Sequence, residues 1–346
     1  MNNKILFALK VKRSDWECES PKMIYPHHFG HNFHDKNNLL ILNQGKEVGD
    51  KLFNIKIIKC RYDAAIRAST HFFLWFPRDI FLIFNGLIIN KKIIIGLYQV
   101  EYGTHHYIDF VKRVIIKIVM HRAQLYFVMT EQQKKYLSSY YNIPAEKIYI
   151  HTFGIDIKYF KKKMDIKNLK VHEPYYLVVG DEARNNDLLI LLASKVKKTI
   201  VRVCQYPEKS DIYVLQKDIH RYGLEEKLII EENITYEKLR CYFQNAELYL
   251  GIVNNDYQPA GWTVACEAIA SGCKILLKEG LVSKELNRLG VVDNTYVVKS
   301  WNVDDWLAKI ELVENENKIN YPEEILEKIN IENTSLNLYN WFMSLS

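Results

Sequence analysis

Apolar and polar positions along this chain switch repeatedly between two patterns, short apolar runs and amphipathic stretches of helical period. In the first half, Lys4 to Lys10, Leu39 to Leu42, Ile55 to Cys60, Ile80 to Phe84, Ile93 to Tyr98 and Leu125 to Thr130 read as buried strands. An amphipathic basic helix is predicted over residues 107–121, and a second begins at Thr130 or Glu131 and ends near Tyr141. From Gly154 to Lys163 the pattern breaks into GIDIKYFKKK, and Lys-rich polar sequence continues to Pro174. A second series then starts. Strands are predicted at Tyr175 to Val179, Thr199 to Cys204, Lys227 to Glu231, Leu248 to Val253, Cys273 to Leu277 and Tyr296 to Lys299. Between and after them, helices are predicted at Asp187 to Val196, Ser210 to Tyr222, Tyr236 to Gln244, Thr263 to Ser271 and Val303 to Glu314. Residues 322–345 read as one further helical segment.

Strand and helix in alternation imply parallel sheets with helices on both faces. The break near residue 160 divides the chain into a Rossmann-like N-terminal domain (1–165) and a Rossmann-like C-terminal domain (166–320). A closing helical segment (321–346) is expected to pack back on the first. The expected fold class is therefore α/β, with two doubly wound parallel-sheet domains facing each other across a cleft. Ligands of such sheets bind outside the carboxyl ends of the strands.

Composition narrows the class. A length of 346 residues, 48% apolar and 25% charged, fits a globular protein of two domains. The net charge of +6 is spread among acids along most of the chain, which argues against a nucleic-acid binder. Six cysteines lie scattered without a CxxC pair, the pattern of reduced structural thiols in a cytosolic protein. MNNKILFALKVKR reads as a first strand and not a signal peptide, and no uncharged run reaches membrane-spanning length.

The stretch most informative about chemistry is QPAGWTVACEAIASGCKILL, residues 258–277. A Pro259–Ala260–Gly261 turn opens a helix whose unpaired N–H groups suit a phosphate. Glu267 lies one turn beyond Thr263 on the same face, where a carboxylate can meet a ribose diol. An ordinary solvated carboxylate is the alternative, although Cys266, Ala268, Ile269 and Ala270 around it are apolar.

Four places together resemble the two-Rossmann GT-B glycosyltransferases. The nearest group is the large retaining family (family 4-like) that builds bacterial cell-surface polysaccharides and lipopolysaccharides. GIDIKYF (154–160) resembles its interdomain hinge, YYLVVGDEARNNDL (175–188) its donor loop, and residues 236–253 the helix and strand before the active-site turn. AGWTVACEAIASGCKIL (260–276) resembles its most specific signature. The resemblance implies a sugar transfer from a UDP- or GDP-sugar donor to a saccharide or lipid-linked acceptor, with retention and without a bound metal or other cofactor. It assigns Glu267 to the ribose hydroxyls, and the backbone N–H groups of Gly261, Trp262 and Thr263 to the donor's phosphate or sugar. Thr263 Oγ1 would help cap the helix. Arg184 would neutralise the diphosphate, Gly180 would let backbone approach it, and Gln205 and Asn233 would lie against the base. Two positions depart from the family: Pro259 stands where many relatives carry a sugar-holding acid, and the loop has Asn185 and Asn186 but no Lys to accompany Arg184.

In the N-terminal half, Glu101, His105 and His106 follow a predicted strand and are candidates to orient or deprotonate the acceptor hydroxyl, with packing as the alternative. His27, His28, His31 and His34 lack the spacing of a zinc site. The basic helix 107–122 suits either a solvated face or an anionic membrane surface, so a cytoplasmic, peripherally attached protein is expected. The alternatives kept open are a catalytically inactive nucleotide-sugar binder and a GT-B-type epimerase.

Overall fold

The computed structural model describes residues 5–8, 39–41, 71–74, 92–97, 121 and 123–344, apart from short gaps at 164–168, 172, 182, 208–210, 255–257 and 317–320. The chain forms two compact units. One comprises Met1–Gly154 with Ile331–Ser346, the other Ile155–Asn330.

The first unit holds a six-stranded parallel sheet of β1 (Ile5–Ala8), β2 (Leu39–Ile41), β3 (His71–Leu74), β4 (Lys92–Leu97), β5 (Leu125–Val128) and β6 (Ile148–Ile150), in the order β2-β1-β3-β4-β5-β6. Helix α1 (Glu131–Tyr141) starts where Thr130 and Gln133 form a reciprocal capping box, a strong local stop for β5. Strands at His71–Leu74 and Ile148–Ile150 were not separable in the sequence from the apolar or polar stretches around them. The expected strands at residues 55–60 and 80–84 lie outside the described residues.

Six parallel strands also build the second unit: β7 (Tyr176–Val179), β8 (Ile200–Cys204), β9 (Leu228–Glu232), β10 (Leu248–Gly251), β11 (Ile275–Lys278) and β12 (Val297–Val298). Their order, β12-β11-β10-β7-β8-β9, places the first strand in the middle and winds outward in both directions. That is the Rossmann order, and its switch point lies between β7 and β10. Every residue of β7, β8 and β10 is buried, which explains their apolar character, interrupted by a charge only at Arg202 of β8. Over one face, α3 (Asn186–Lys195), α4 (Ile212–Arg221) and α8 (Val303–Glu314) cover a core that includes Leu189, Leu192, Leu215, Leu250 and Trp306. Among the other helices, α6 (Trp262–Ala270) contacts α2 (Ile157–Lys161) and α5 (Tyr236–Asn245).

Local sequence sets most helix starts. Asp156 caps α2 through Tyr159 N at 3.0 Å, and Phe160 is fully buried against Phe243, so both serve as structural anchors. Asn185, Thr235 and Asn302 cap α3, α5 and α8 in the same way. Helix α7 (Leu281–Arg288) has no counterpart among the expected elements. The expected single helix over 322–345 is two, α9 (Glu323–Lys328) and α10 (Ile331–Met343). The break has a tertiary cause: Ile329 O accepts from Ile155 N at 2.8 Å, and Ile155 bridges Asn330 in parallel. In the first unit, Trp341 of α10 stacks on Tyr149 of β6 with ring centroids 4.5 Å apart.

Candidate functional site

The switch point of the second unit gathers most of the C-terminal residues that the sequence singled out. β7 ends at Gly180, whose φ of +122° lies outside the range of ordinary side chains. A Cβ there would overlap the guanidinium of Arg184, which folds back so that Nε and Nη2 both donate to Val179 O, at 2.9 and 2.6 Å. Between them Ala183 sits in the left-handed region (φ 56°), a strained conformation for a residue with a side chain. The loop is pinned to the end of β10 by three contacts. Asn254 N donates to Ala183 O (2.7 Å), Asn185 N donates to Ile252 O (3.1 Å), and Arg184 bridges Val253 antiparallel.

The turn before α6 faces this loop. Pro259 O accepts from Trp262 N at 3.1 Å, and Gly261 adopts φ 83°, ψ 3°, the geometry that makes glycine preferred at the third position of a type II turn. An added Cβ on Gly261 would lie 3.0 Å from Val253 Cγ2 and 3.7 Å from Arg184 Nη2. The guanidinium therefore sits between two backbone segments that both lack side chains. Of the three amides expected to face an anion, that of Trp262 is turned into the β-turn, and its indole is buried. Gly261 and Thr263 amides have no acceptor among the described residues. Thr263 is the second helical residue and not a cap, because the cap position belongs to Gly261.

Glu267 lies one turn deeper, 4% exposed, with no hydrogen bond or ion pair to its carboxylate among the described residues. Burial pushes its pKa up to about 8, so near neutrality the unliganded site holds it mostly protonated. Tyr249, buried on β10, feels Arg184, Glu267 and Arg202 together, while burial raises its own pKa. The same tyrosine lines a small, open cleft, together with Gly251, Val253, Gly261, Lys278 and Leu281.

At the far side of the sheet edge, Asn233 follows β9 in the left-handed region (φ 51°), its N–H donated to Cys204 O at 3.0 Å. Asp181 Oδ1 accepts from Gln205 N (2.6 Å), Tyr206 N (2.9 Å) and the Cys204 thiol (3.3 Å), which ties the β7 loop to the β8 loop. Tyr206 and Tyr236 stand exposed at the ends of β8 and β9. Sequence reasoning missed Asp181, Tyr249, Tyr206, Tyr236 and Arg202. Only Arg202 left a signal, as a lone charge inside the apolar strand IVRVC.

Glu101, His105 and His106 lie outside the described residues, as do the four histidines at 27–34 and nearly all of the basic segment 107–122. Among the described residues no three His, Cys, Asp or Glu side chains converge as a metal site, and no helix is long and apolar enough to cross a membrane.

No protein-family model matches this sequence, and no curated protein matches it. Solved structures do. HepE from Anabaena, solved with UDP and glucose, aligns with a TM-score of 0.76 at 12% identity over 99% of this chain and 100% of that one. The fold is GT-B. A glycosyltransferase from Rickettsia africae shares this GT-B fold with a TM-score of 0.72 at 11% identity over 99% of both chains. UDP-GlcNAc 2-epimerase from Methanocaldococcus jannaschii aligns at 0.56 and 14% identity, over 99% of this chain and 100% of its own. GT-B architecture at such low identity leaves the chemistry to be argued from this chain's own residues.

Proposed function

We propose that this protein is a glycosyltransferase that takes a sugar from a nucleoside-diphosphate donor bound to its second unit. The observation that carries the reading is Glu267, a buried carboxylate with no hydrogen-bond or ion-pair partner among the described residues, on the first helix after the switch-point turn. Leaving such a group unsatisfied costs several kcal/mol, on the order of 2–7 for a polar group. A ribose diol supplies the two donors that this carboxylate lacks, and binding would favour its ionised form. At the other end of the same ligand, the Gly261 and Thr263 amides and the Arg184 guanidinium suit the diphosphate. Their fixed dipoles and charge would stabilise its growing negative charge as the sugar leaves. Gln205 and Asn233, with Tyr206 after β8 and Tyr236 at the start of α5 nearby, would lie against the base.

The donor is a UDP- or GDP-sugar, the acceptor a saccharide or lipid-linked hydroxyl, and transfer retains configuration without a bound metal. In that chemistry the protein positions the reactants, and a departing phosphate oxygen takes the acceptor's proton. Glu101, His105 or His106 assists the acceptor, and the basic segment 107–122 holds the protein at an anionic membrane surface. HepE, solved with UDP and glucose, supports a nucleotide-sugar ligand. The fold shared with a UDP-GlcNAc 2-epimerase motivates a second reading, sugar epimerisation.

Incubation with radiolabelled UDP- and GDP-sugars separates these readings. Slow release of free sugar is the outcome expected of a transferase without its acceptor. Reversible isomerisation of the sugar would replace the reading with an epimerase. Binding without any turnover would mark an inactive relative.

A further inference from the structure

One buried charge of the second unit has no ion-pair partner among the described residues. Arg202 stands in the middle of β8, only 1% exposed, and its Nη1 donates to Val203 O at 2.6 Å. Its Nε has no partner, and it forms no ion pair among the described residues. Asp181, the one carboxylate among the described groups that act on it, accepts at Oδ1 from Gln205 N, Tyr206 N and the Cys204 thiol. Burial and then the neighbouring Arg184 hold the Arg202 pKa down to about 10, still charged at neutrality. Lys274, a second buried cation in the unit, is treated differently. Lys274 donates to the carbonyls of Val313, Glu314 and Glu316, and so caps the C-terminus of α8.

The placement of Arg202 is specific. Val203 O, which accepts Nη1, also accepts the N–H of Gly180 at 3.1 Å. Gly180 is the residue whose missing Cβ admits the Arg184 guanidinium. Arg202, Val203 O, Gly180 and Arg184 thus form a continuous cluster at the carboxyl end of β7 and β8. The two guanidinium groups repel each other, Arg184 lowering the Arg202 pKa, and Arg202 has no ion-pair partner among the described residues, so an anion here would relieve both. The loop after β7 carries no Lys beside Arg184, so the cluster's second positive charge comes from the strand next to it.

We propose that Arg202 is the second cation of the diphosphate subsite, acting through its charge from beneath Gly180 and not through direct contact. The inference rests on the nucleotide-donor reading above. A buried charge kept for a ligand weakens the empty protein, because nothing repays its desolvation. This gives a signature that a merely structural arginine would lack.

The test compares wild type, Arg202→Met and Arg202→Lys by titration calorimetry with UDP and GDP, and with uridine and guanosine at higher concentration. For the base that binds, Arg202→Met is expected to weaken the diphosphate about tenfold, the scale of one through-space charge–charge attraction in a partly buried site. Nucleoside affinity should stay within about twofold, Arg202→Lys should recover most of the diphosphate affinity, and ligand-free Arg202→Met should melt at or above the wild-type temperature. Wild-type diphosphate affinity in Arg202→Met overturns the proposal, and so does an equal loss for nucleoside and diphosphate. If Arg202→Met loses its fold by circular dichroism, Arg202→Gln carries the same comparison with the same two overturning results. Failure of wild type to bind either diphosphate defeats the donor reading instead.

Discussion

Two glutamates of the second unit, Glu231 and Glu267, are equally buried, at 3% and 4% exposure, and have opposite surroundings. Glu231 ends the buried part of β9 and receives Lys238 Nζ at 3.0 and 3.1 Å and the Tyr242 hydroxyl at 2.7 Å, with Lys170 Nζ 3.7 Å away. Glu267, on α6, receives nothing from the described residues, and burial alone lifts its pKa to about 8. The first acid is compensated where it stands and holds β9 to α5. The second is held ready at a cost. Lys274 and Arg202 repeat the contrast among the cations. The uncompensated members of both pairs, Glu267 on α6 and Arg202 on β8, act on Tyr249 together with Arg184 near the switch point, and the compensated ones serve the frame around it.

Replacing each acid should move a different property. Glu231→Ala is expected to destabilise the protein by about 3 kcal/mol, since it orphans the Tyr242 hydroxyl and opens a cavity, while the lysines can turn to solvent. Chemical denaturation measures this, and a nucleotide affinity unchanged within twofold should accompany it. A strong loss of nucleotide affinity at equal stability would erase the distinction between the two glutamates. Glu267→Ala should do the reverse. Donor affinity is expected to fall about 100-fold, with two charge-assisted hydrogen bonds to the diol lost, and the ligand-free protein should melt no lower than wild type. Calorimetry showing unaltered donor binding would sink the assignment of Glu267.

A third difference between the two acids concerns pH. Because the folded pKa of Glu267 is raised above its usual 4.5, the folded state binds the extra proton between about pH 4.5 and 8. Its contribution to stability is fully present below the unfolded value and is lost as pH rises toward 8, at up to about 1.4 kcal/mol per pH unit. Melting curves from pH 5 to 8.5 should therefore fall more steeply for wild type than for Glu267→Gln. Parallel curves would mean that Glu267 is ionised or paired in solution.

How much of this was legible beforehand differs from residue to residue. The site turn was, because Pro259, Gly261 and the apolar flanks of Glu267 are local signals whose meaning depends on a few neighbouring residues. The amide of Trp262 was misjudged for an equally local reason: a type II turn consumes the fourth residue's N–H, and turn type is a matter of backbone angles that the motif does not state. Helix α7 and the interruption between α9 and α10 were not legible. The interruption depends on Ile155, which approaches Ile329 from 174 positions away.

By itself the sequence determined the alternation of strand and helix in the second unit, because side-chain period follows from backbone geometry within a few residues. It also determined the candidate anion turn, because glycine and proline restrict the backbone locally. Tertiary structure alone decided which buried charges are compensated. Glu231 draws on Lys170 from another segment, Lys274 on the end of α8, while no chain segment among the described residues reaches Glu267 or the Nε of Arg202. Compensation needs partners brought together by the fold, and no local pattern records it.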